Sequence, residues 1–570
     1  MQKFDLKTAS EILQEFWGYS AFRPDQQAVV RLISQNQNVL AVMATGAGKS
    51  VCFQVPAIMI KGFTWVVSPL LSLMKDQTES LKARGIPAIR ITSETEKSTH
   101  LPQLQGFVSE YDFGLIYCAP EKLHSREIVA FWEKHSPGYV VIDEAHCISQ
   151  WGHDFRPDYF RIGEALKKIR HGPILAFTAT ASAGVRREIR MALDPTSEWA
   201  SYIGNFARSN IALNVYFEKH KRDRFNNLVQ TSTVPMIIFT RSRQKTEMLA
   251  KRINQSHRKE SLAYHAGLSN DERVYIQDLF LSGRCSILVA TSAFGMGIDK
   301  ADIRTVIHAD IPESVDAFFQ EIGRAGRDGN KSVHHLLVTE DDFIRQRKHL
   351  TKKFAAREII PDMWPSEDQV IDTRQLSNHF SMAQIKVIYE HWWVKGFVSI
   401  QDNRDHWIVK STGTGTFDEA YETIEVYLQH FTDKIAYLEN YIYCQDCRMA
   451  YLANYFHKEA VHCKICDICI NPEQQNIQIS KKDSGILRDV ASVDGQLSEK
   501  KLQAYLQRNS NSEIIFGVPI RWTHNSDILT KIRQLEKDNY IVKSRQNGFK
   551  ISLTRAGRLA LKNSTLKTGI

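Results

Sequence analysis

Short, unbroken apolar runs alternate with stretches of helical period through the first two hundred residues. NVLAVMATGAGKSVC (38–52) reads as a strand, a glycine-containing turn and the start of a helix. FTWVV (63–67), LIYC (115–118), YVVID (139–143) and ILAFT (174–178) have the length and composition of strands buried on both faces. Between two of them SPLLSLMKDQTESLKA (68–83) has helical spacing. This rhythm predicts a parallel sheet covered by helices on both sides. It restarts at MIIFTRSR (236–243) and runs on through LAYHAGL, SILVATSAFGMGID, TVIHADIP and VHHLLV. Two lobes follow, over 1–200 and 201–344. Beyond them NHFSMAQIKVIYEHWWVKGFVSI, then QDNRD and HWIVKS, outlines a helix and two strands around a polar turn. That predicts a small winged-helix unit over 345–415, with the adjacent Trp392 and Trp393 wedging its helix into a core. The tail, 476–570, repeats the outline, its two strands joined around Asn547 and Gly548, a hairpin pair.

At 570 residues the chain is too long for one core and fits three to five domains, at roughly 100–200 residues each. The net charge of +9 is unevenly spread: residues 480–570 hold 17 Lys and Arg against 8 Asp and Glu, which is the whole excess. A basic module on a neutral body suggests a polyanionic partner; alone, the same charges would read as a solvated helix face. No apolar run approaches the roughly 18–20 residues of a membrane span, and the first residues lack a signal-peptide core. A cytoplasmic location, at the nucleoid in a bacterium, and no membrane partner are therefore expected. Five of the nine cysteines, Cys444, Cys447, Cys463, Cys466 and Cys469, fall in one short segment within 416–475. In a reducing compartment, closely spaced pairs on turns converge on a four-thiolate zinc site more often than they form disulfides. Spacing alone leaves five thiols for four places, and a generic pattern takes Cys444, Cys447, Cys463 and Cys466.

Gly46, Gly48, Lys49 and Ser50 match the end of a P-loop, whose backbone N–H groups cradle phosphates while the lysine reaches the β- and γ-phosphates and the serine binds Mg²⁺. The first glycine of that pattern is Met43 here. The strand ending at Asp143 and Glu144 supplies the other half: Asp143 to hold Mg²⁺ and Glu144 to activate the attacking water. The segment continues as DEAHCISQWGHDFRP (143–157), so Trp151, His153, Phe155 and Arg156 put stacking and cationic side chains beside the metal and phosphate site. In the second lobe QEIGRAGR (320–327) spaces Gln320, Arg324 and Arg327 at i, i+4 and i+7 on a predicted helix face. Beside a triphosphate such a row supplies an arginine finger when the lobes close.

The ordered set FWGYSAFRPDQQ (16–27), TGAGKS, SPLLSLMKDQ, DEAHCISQWGHDFRP, TATA, YHAGL, ATSAFGMGIDK and QEIGRAGRDG resembles the RecQ family of superfamily 2 DNA helicases, over residues 13–340. The resemblance implies an α/β architecture of two RecA-like parallel-sheet lobes, then a zinc-binding helical module and winged-helix domains. It implies an ATP-dependent, DNA-stimulated motor moving 3′ to 5′ on single-stranded DNA and unwinding forked duplexes in repair, recombination and replication. ATP, Mg²⁺ and Zn²⁺ are the implied cofactors, and a single-stranded-DNA-binding protein is a further candidate partner. Residue by residue, it implies that Tyr19, Arg23 and Gln26 grip adenine. Thr45, Gly46, Gly48, Lys49 and Ser50 take the phosphates, with Ser50 and Asp143 on Mg²⁺. Glu144 handles the water, and Gln320, Arg324 and Arg327 act from the opposite lobe. Trp151, His153, Phe155 and Arg156 match the loop that couples DNA to hydrolysis. CRMAYLANYF aligns Cys447 with the family's first zinc cysteine, which selects Cys447, Cys463, Cys466 and Cys469 and leaves Cys444 spare. Lys543, Arg545 and Lys550 decorate the terminal wing, which grips duplex DNA in the family. The chain departs from the family at Asp25, Ala44 and Ala47 and in FTRSR, none of which removes a catalytic group. An RNA helicase would share the lobes but accept the 2′-hydroxyl. A DNA-binding scaffold with a vestigial ATP site is disfavoured by the complete set of acids, lysine and arginines.

Overall fold

The structure is a computed structural model that describes residues 5–60, 62–92, 97–149, 156–205, 207–218, 220–256, 260–294, 300–339, 341–342, 345–346, 357–366, 369–403, 406–444, 446–456, 462–470, 541–544 and 550–553. The short apolar runs become strands buried on both faces, which only helices above and below a parallel sheet can provide. In the first lobe β1 (Asn38–Val42), β2 (Gly62–Val67), β3 (Ala88–Ile91), β4 (Phe113–Cys118), β5 (Tyr139–Ile142), β6 (Ile174–Thr178) and β7 (Trp199–Ile203) form one sheet in the order β3-β4-β2-β5-β6-β1-β7. Every pairing in it is parallel. The expected lobe boundary at residue 200 falls inside β7, because Trp199–Ile203 pairs along the whole of β1 and so closes the first sheet. The helix expected from residue 68 starts at Leu71, since Pro69 disfavours helix before it and Leu70 is extended.

The second lobe holds β8 (Ile211–Phe217), β9 (Met236–Phe239), β10 (Ser261–Tyr264), β11 (Ile287–Ala290), β12 (Thr305–His308) and β13 (Ser332–Val338). They are again all parallel, in the order β10-β11-β9-β12-β13-β8. The insert forms an antiparallel sheet, β14 (Val370–Asp372), β16 (His406–Ser411) and β15 (Val398–Asn403), in that spatial order. Its helix, Met382–Val394, starts with a capping box in which Ser381 and Gln384 satisfy each other's backbone N–H groups. Trp392 is fully buried there and donates to the Ala420 carbonyl, 3.1 Å away. Trp393 instead faces the first lobe, under the Arg161 guanidinium at 5.1 Å. The insert has a core of its own, but that core takes in Ala420, Ile424 and Tyr427, so the long helix Phe417–Ile442 belongs to it as much as to the cysteine module expected over 416–475. Of the tail, the strands β17 (Ile541–Ser544) and β18 (Lys550–Leu553) form an antiparallel hairpin with Ser544 opposite Lys550.

The far end of the long helix and the cysteine module lie against the second lobe. Asp467 accepts from the Arg448 Nε at 2.5 Å and, through its other oxygen, from the Val215 N–H on the outer strand β8 at 3.0 Å. One carboxylate therefore neutralises a fully buried guanidinium and covers an open sheet edge. Removing one partner of a buried pair costs about 3–5 kcal/mol. Asp467→Ala should lower the unfolding free energy read from urea denaturation by that order, and Asp467→Asn, which keeps an acceptor for Val215, should lower it less.

Candidate functional site

The order of the first sheet puts the carboxyl ends of β1, β5 and β6 side by side, where open α/β sheets bind ligands. From β1 the chain turns through Thr45 to Gly48 into the helix Lys49–Met59. Gly46 has φ +81°, and a Cβ on it would lie 3.0 Å from the Cγ of Arg327 in the opposite lobe, so a side chain here would be strained and would crowd that arginine. From β5 come Asp143 and Glu144. Asp143 is 5% exposed; burial raises its carboxyl to about 7, the neighbouring Glu144 adds to this, and Lys49 opposes it. Such an acid favours a cation at its oxygens over isolation in the interior. Glu144 adopts a left-handed backbone at φ 49°, rare for a side-chain-bearing residue and a form of strain found at working sites. Its Oε2 lies 3.3 Å from the Nδ1 of His146, which also meets the Thr178 Oγ1 at 2.9 Å. His146, bonded to the β6 terminus, thus packs beside the second acid. Ser50 accepts a hydrogen bond at 3.1 Å from Gln77, on the helix Leu71–Ala83.

The residues aligned with adenine recognition are in two different states, and of them Arg23 and Gln26 reach this turn. Tyr19 is 59% exposed. Gln26 is buried and occupied: its Oε1 accepts from the Arg23 N–H at 2.9 Å, and its Nε2 donates to the carbonyls of Ala47 and Gly48 at 3.1 and 3.2 Å. Arg23 donates to the Gly46 carbonyl at 3.0 Å. Both side chains brace the phosphate turn in this structure.

The arginines of the second lobe arrive by a different route from the expected helix face. The helix Val315–Ile322 carries Gln320 and ends there; Gly323 to Asp328 form successive turns, with Gly326 at φ +56°. The i, i+4, i+7 spacing is therefore not a helical row. Arg324 and Arg327 stand on a turn held by backbone carbonyls, because Arg208 donates to Ala325 and Gly326 at 3.0 and 2.6 Å and Asn210 to Gly326 at 2.8 Å. Arg208 also reaches the Thr45 carbonyl at 3.5 Å, so one guanidinium touches both lobes. Burial pushes Arg324 down to about 9, with Arg327 adding to the fall and Glu321 and Glu144 opposing it. Gln320 and Arg324 also line an adjoining cleft of about 440 Å³ with Arg241, His308 and Asp310. Arg208 and Asn210 carry no motif, and Gln77 lies unmarked inside SPLLSLMKDQ.

Trp151, His153, Phe155 and Arg545 lie outside the described residues, and of Lys543 and Lys550 only the backbone, in the hairpin, is described. Arg156, at the exit of the aromatic loop, is half-buried and donates to the Pro69 carbonyl at 2.8 Å. In the cysteine module the sulfurs of Cys447, Cys463, Cys466 and Cys469 all lie within 4.8 Å of one another. The hydrogen bond from Cys463 lowers the Cys466 thiol, while the same coupling raises Cys463 and Cys469; four convergent thiols are a donor set suited to a soft divalent cation. Cys444 stands apart, its sulfur 3.8 Å from Arg448 Nη1.

The family profile for DEAD/DEAH box helicases matches residues 23–188, and that for the helicase conserved C-terminal domain matches 220–329. The chain is 37% identical over 356 residues to the probable ATP-dependent DNA helicase RecS of Bacillus subtilis (strain 168), covering 62% of this chain and 71% of that protein. It is 40% identical to the ATP-dependent DNA helicase RecQ of the same organism, covering 60% of this chain and 58% of that one. It is 38% identical to the RecQ of Pasteurella multocida (strain Pm70), covering 61% and 55%. The chain thus spans little more than half the length of both RecQ proteins. Among solved structures, the DUF1998 helicase MrfA bound to DNA superposes with a TM-score of 0.51 at 16% identity, over 73% of this chain and 63% of that one, a likeness of fold. Among the described residues no helix is long and apolar enough to cross a membrane.

Metal analysis tests the four-thiolate group directly. The purified chain is expected to carry one zinc, released on thiol modification; Cys466→Ser should abolish stoichiometric loading, whereas Cys444→Ser should leave it intact.

Proposed function

The chain belongs to the RecQ family of ATP-dependent DNA helicases, and from that premise we propose a motor that moves 3′ to 5′ on single-stranded DNA and splits forked duplexes in repair, recombination and replication. The observation that carries this reading is the approach of Arg327 to Gly46, because a phosphate-binding turn completed by an arginine from the other lobe ties hydrolysis to lobe closure. Lys49 takes the β- and γ-phosphates of ATP, and Arg324 and Arg327 neutralise charge as it develops on the γ-phosphate. Gln320 lies one turn behind them. Glu144, oriented by His146, positions the attacking water. Ser50 and Asp143 are the Mg²⁺ ligands, and the bound cation supplies Lewis-acid stabilisation of the phosphates. Tyr19 stacks on adenine, while Arg23 and Gln26 exchange part of their hold on the phosphate turn for the base.

Trp151, His153 and Phe155 sense the DNA strand, and the bond from Arg156 to Pro69 supports a route from that loop into the helix Leu71–Ala83. Cys447, Cys463, Cys466 and Cys469 hold zinc. The strand order of the insert, with its helix ahead of the β15–β16 hairpin, supports a winged-helix reading. The β17–β18 hairpin, with Lys543, Arg545 and Lys550 on or beside it, is read as the wing that grips duplex DNA. A single-stranded-DNA-binding protein is proposed as a partner.

Strand displacement on two duplexes that differ only in carrying a 3′ or a 5′ single-stranded tail is the direct test. Release from the 3′-tailed duplex alone is expected, and equal release from both would remove the polarity. Lys49→Ala and Glu144→Gln should each lower DNA-stimulated ATP turnover at least about a hundredfold while leaving DNA affinity in place. Trp151→Ala should lose the stimulation by DNA and keep the basal rate.

A further inference from the structure

We infer that Gln77 is a positioning residue for the metal at the phosphate site: its amide nitrogen orients the Ser50 hydroxyl, and its carbonyl oxygen accepts from a water of the Mg²⁺ hydration shell. The inference rests on the ATP-site reading above. Gln77 lies on the second turn of the helix Leu71–Ala83, and its neighbours Lys75 and Asp76 face solvent. Gln77 alone of the three turns inward, and its Nε2 donates to the Ser50 Oγ at 3.1 Å. Its Oε1 is buried and has no hydrogen-bond partner among the described residues. A buried carbonyl left unmatched costs free energy, so such atoms are rare unless a partner outside the polypeptide completes them.

The chemistry of Mg²⁺ identifies that partner. This cation dehydrates reluctantly and keeps several waters even when bound to protein and phosphate. Those waters point their hydrogens outward and need acceptors. With the amide in the orientation given by the Ser50 bond, an acceptor is what Gln77 presents beside the metal-ligating hydroxyl. The opposite orientation would aim N–H groups at water hydrogens, which is repulsive. Ser50 retains a second lone pair for the cation, because the Gln77 bond occupies only one. Partners of this outer kind, once removed, typically cost 10–100-fold in metal affinity.

The test is the Mg²⁺ dependence of binding of a fluorescent, non-hydrolysable ATP analogue to the full chain, so that no turnover is needed. Gln77→Leu is expected to raise the Mg²⁺ concentration for half-maximal tightening about tenfold, with affinity in EDTA and for single-stranded DNA within about twofold of the parent. Gln77→Glu, whose carboxylate restores an acceptor, should bring the midpoint back to within about threefold. An unchanged midpoint in Gln77→Leu would overturn the inference and leave the ATP site standing. Affinity that falls equally with and without Mg²⁺ would also overturn it, since that marks a packing role. If the parent chain bound no analogue at all, the ATP-site reading would fail together with the inference.

Discussion

Like charges gathered at the seam between the two lobes are the constraint around which the rest of the molecule is arranged. Arg324 is buried, Arg327 lies against Gly46, and Arg208 spans from the Thr45 carbonyl to those of Ala325 and Gly326. Lys49 stands on the facing helix end. Desolvation and mutual repulsion both raise the energy of such a cluster, as the fall of Arg324 to about 9 reflects. Backbone carbonyls hold the Arg208 guanidinium in place without cancelling its charge, Glu321 and Glu144 offset the fall of Arg324 only in part, and across the seam Asp143 and Glu144 crowd each other. A polyphosphate with a divalent cation satisfies both sets at once. In the proposed motor, nucleotide binding and lobe closure are therefore one electrostatic event.

The parts behind the seam keep its two halves stiff. Helix Val315–Ile322, from which the arginine turn issues, is anchored at its start: Asp316 accepts from Tyr455 at 3.0 Å and pairs with Lys434 at 3.3 Å, both of them residues beyond the lobes. Phe318 and Phe319 pack on Tyr441 and Phe456. The cysteine module is thus a buttress for the second lobe. The insert leans the other way, onto the first lobe through Trp393 and Arg161. The second-lobe contacts of Lys434 and Tyr441 and the insert's core residues Ala420, Ile424 and Tyr427 share the helix Phe417–Ile442, which therefore links the two.

The strands were the most legible part. Runs such as ILAFT and YVVID carry their own burial, and β6 occupies the full run expected of it, while β5 stops one residue before Asp143. What sequence hid was long-range and made by backbone. Arg208 and Asn210 act on carbonyls more than a hundred residues away, which leaves no side-chain signature. The arginine row failed as a helix face because Gly326, at positive φ, allows a turn that the same spacing does not reveal. Gln26 matches a base-recognition position, yet its amide nitrogen serves the phosphate turn and its oxygen caps the Arg23 N–H. Spacing leaves five cysteines for four places; the resemblance selects Cys447, Cys463, Cys466 and Cys469, and these are the four whose sulfurs converge.

The departures from the family pattern divide along the same physical line. Asp25, where glycine is common in the family, accepts from the Tyr202 hydroxyl at 2.6 Å. Burial, and then this bond, raise the Tyr202 pKa, which keeps the phenol protonated as the donor. Tyr202 belongs to β7, the strand that closes the first sheet beside β1. The substitution therefore ties the segment carrying Arg23 and Gln26 to the sheet edge next to the phosphate turn. Arg23 and Gln26 in turn hold the carbonyls of Gly46, Ala47 and Gly48. A side chain absent from the usual pattern thus stiffens the nucleotide-facing loop without entering the chemistry. Such a change tunes the cost of reorganising that loop around a base and leaves every acid, lysine and arginine of the site in position.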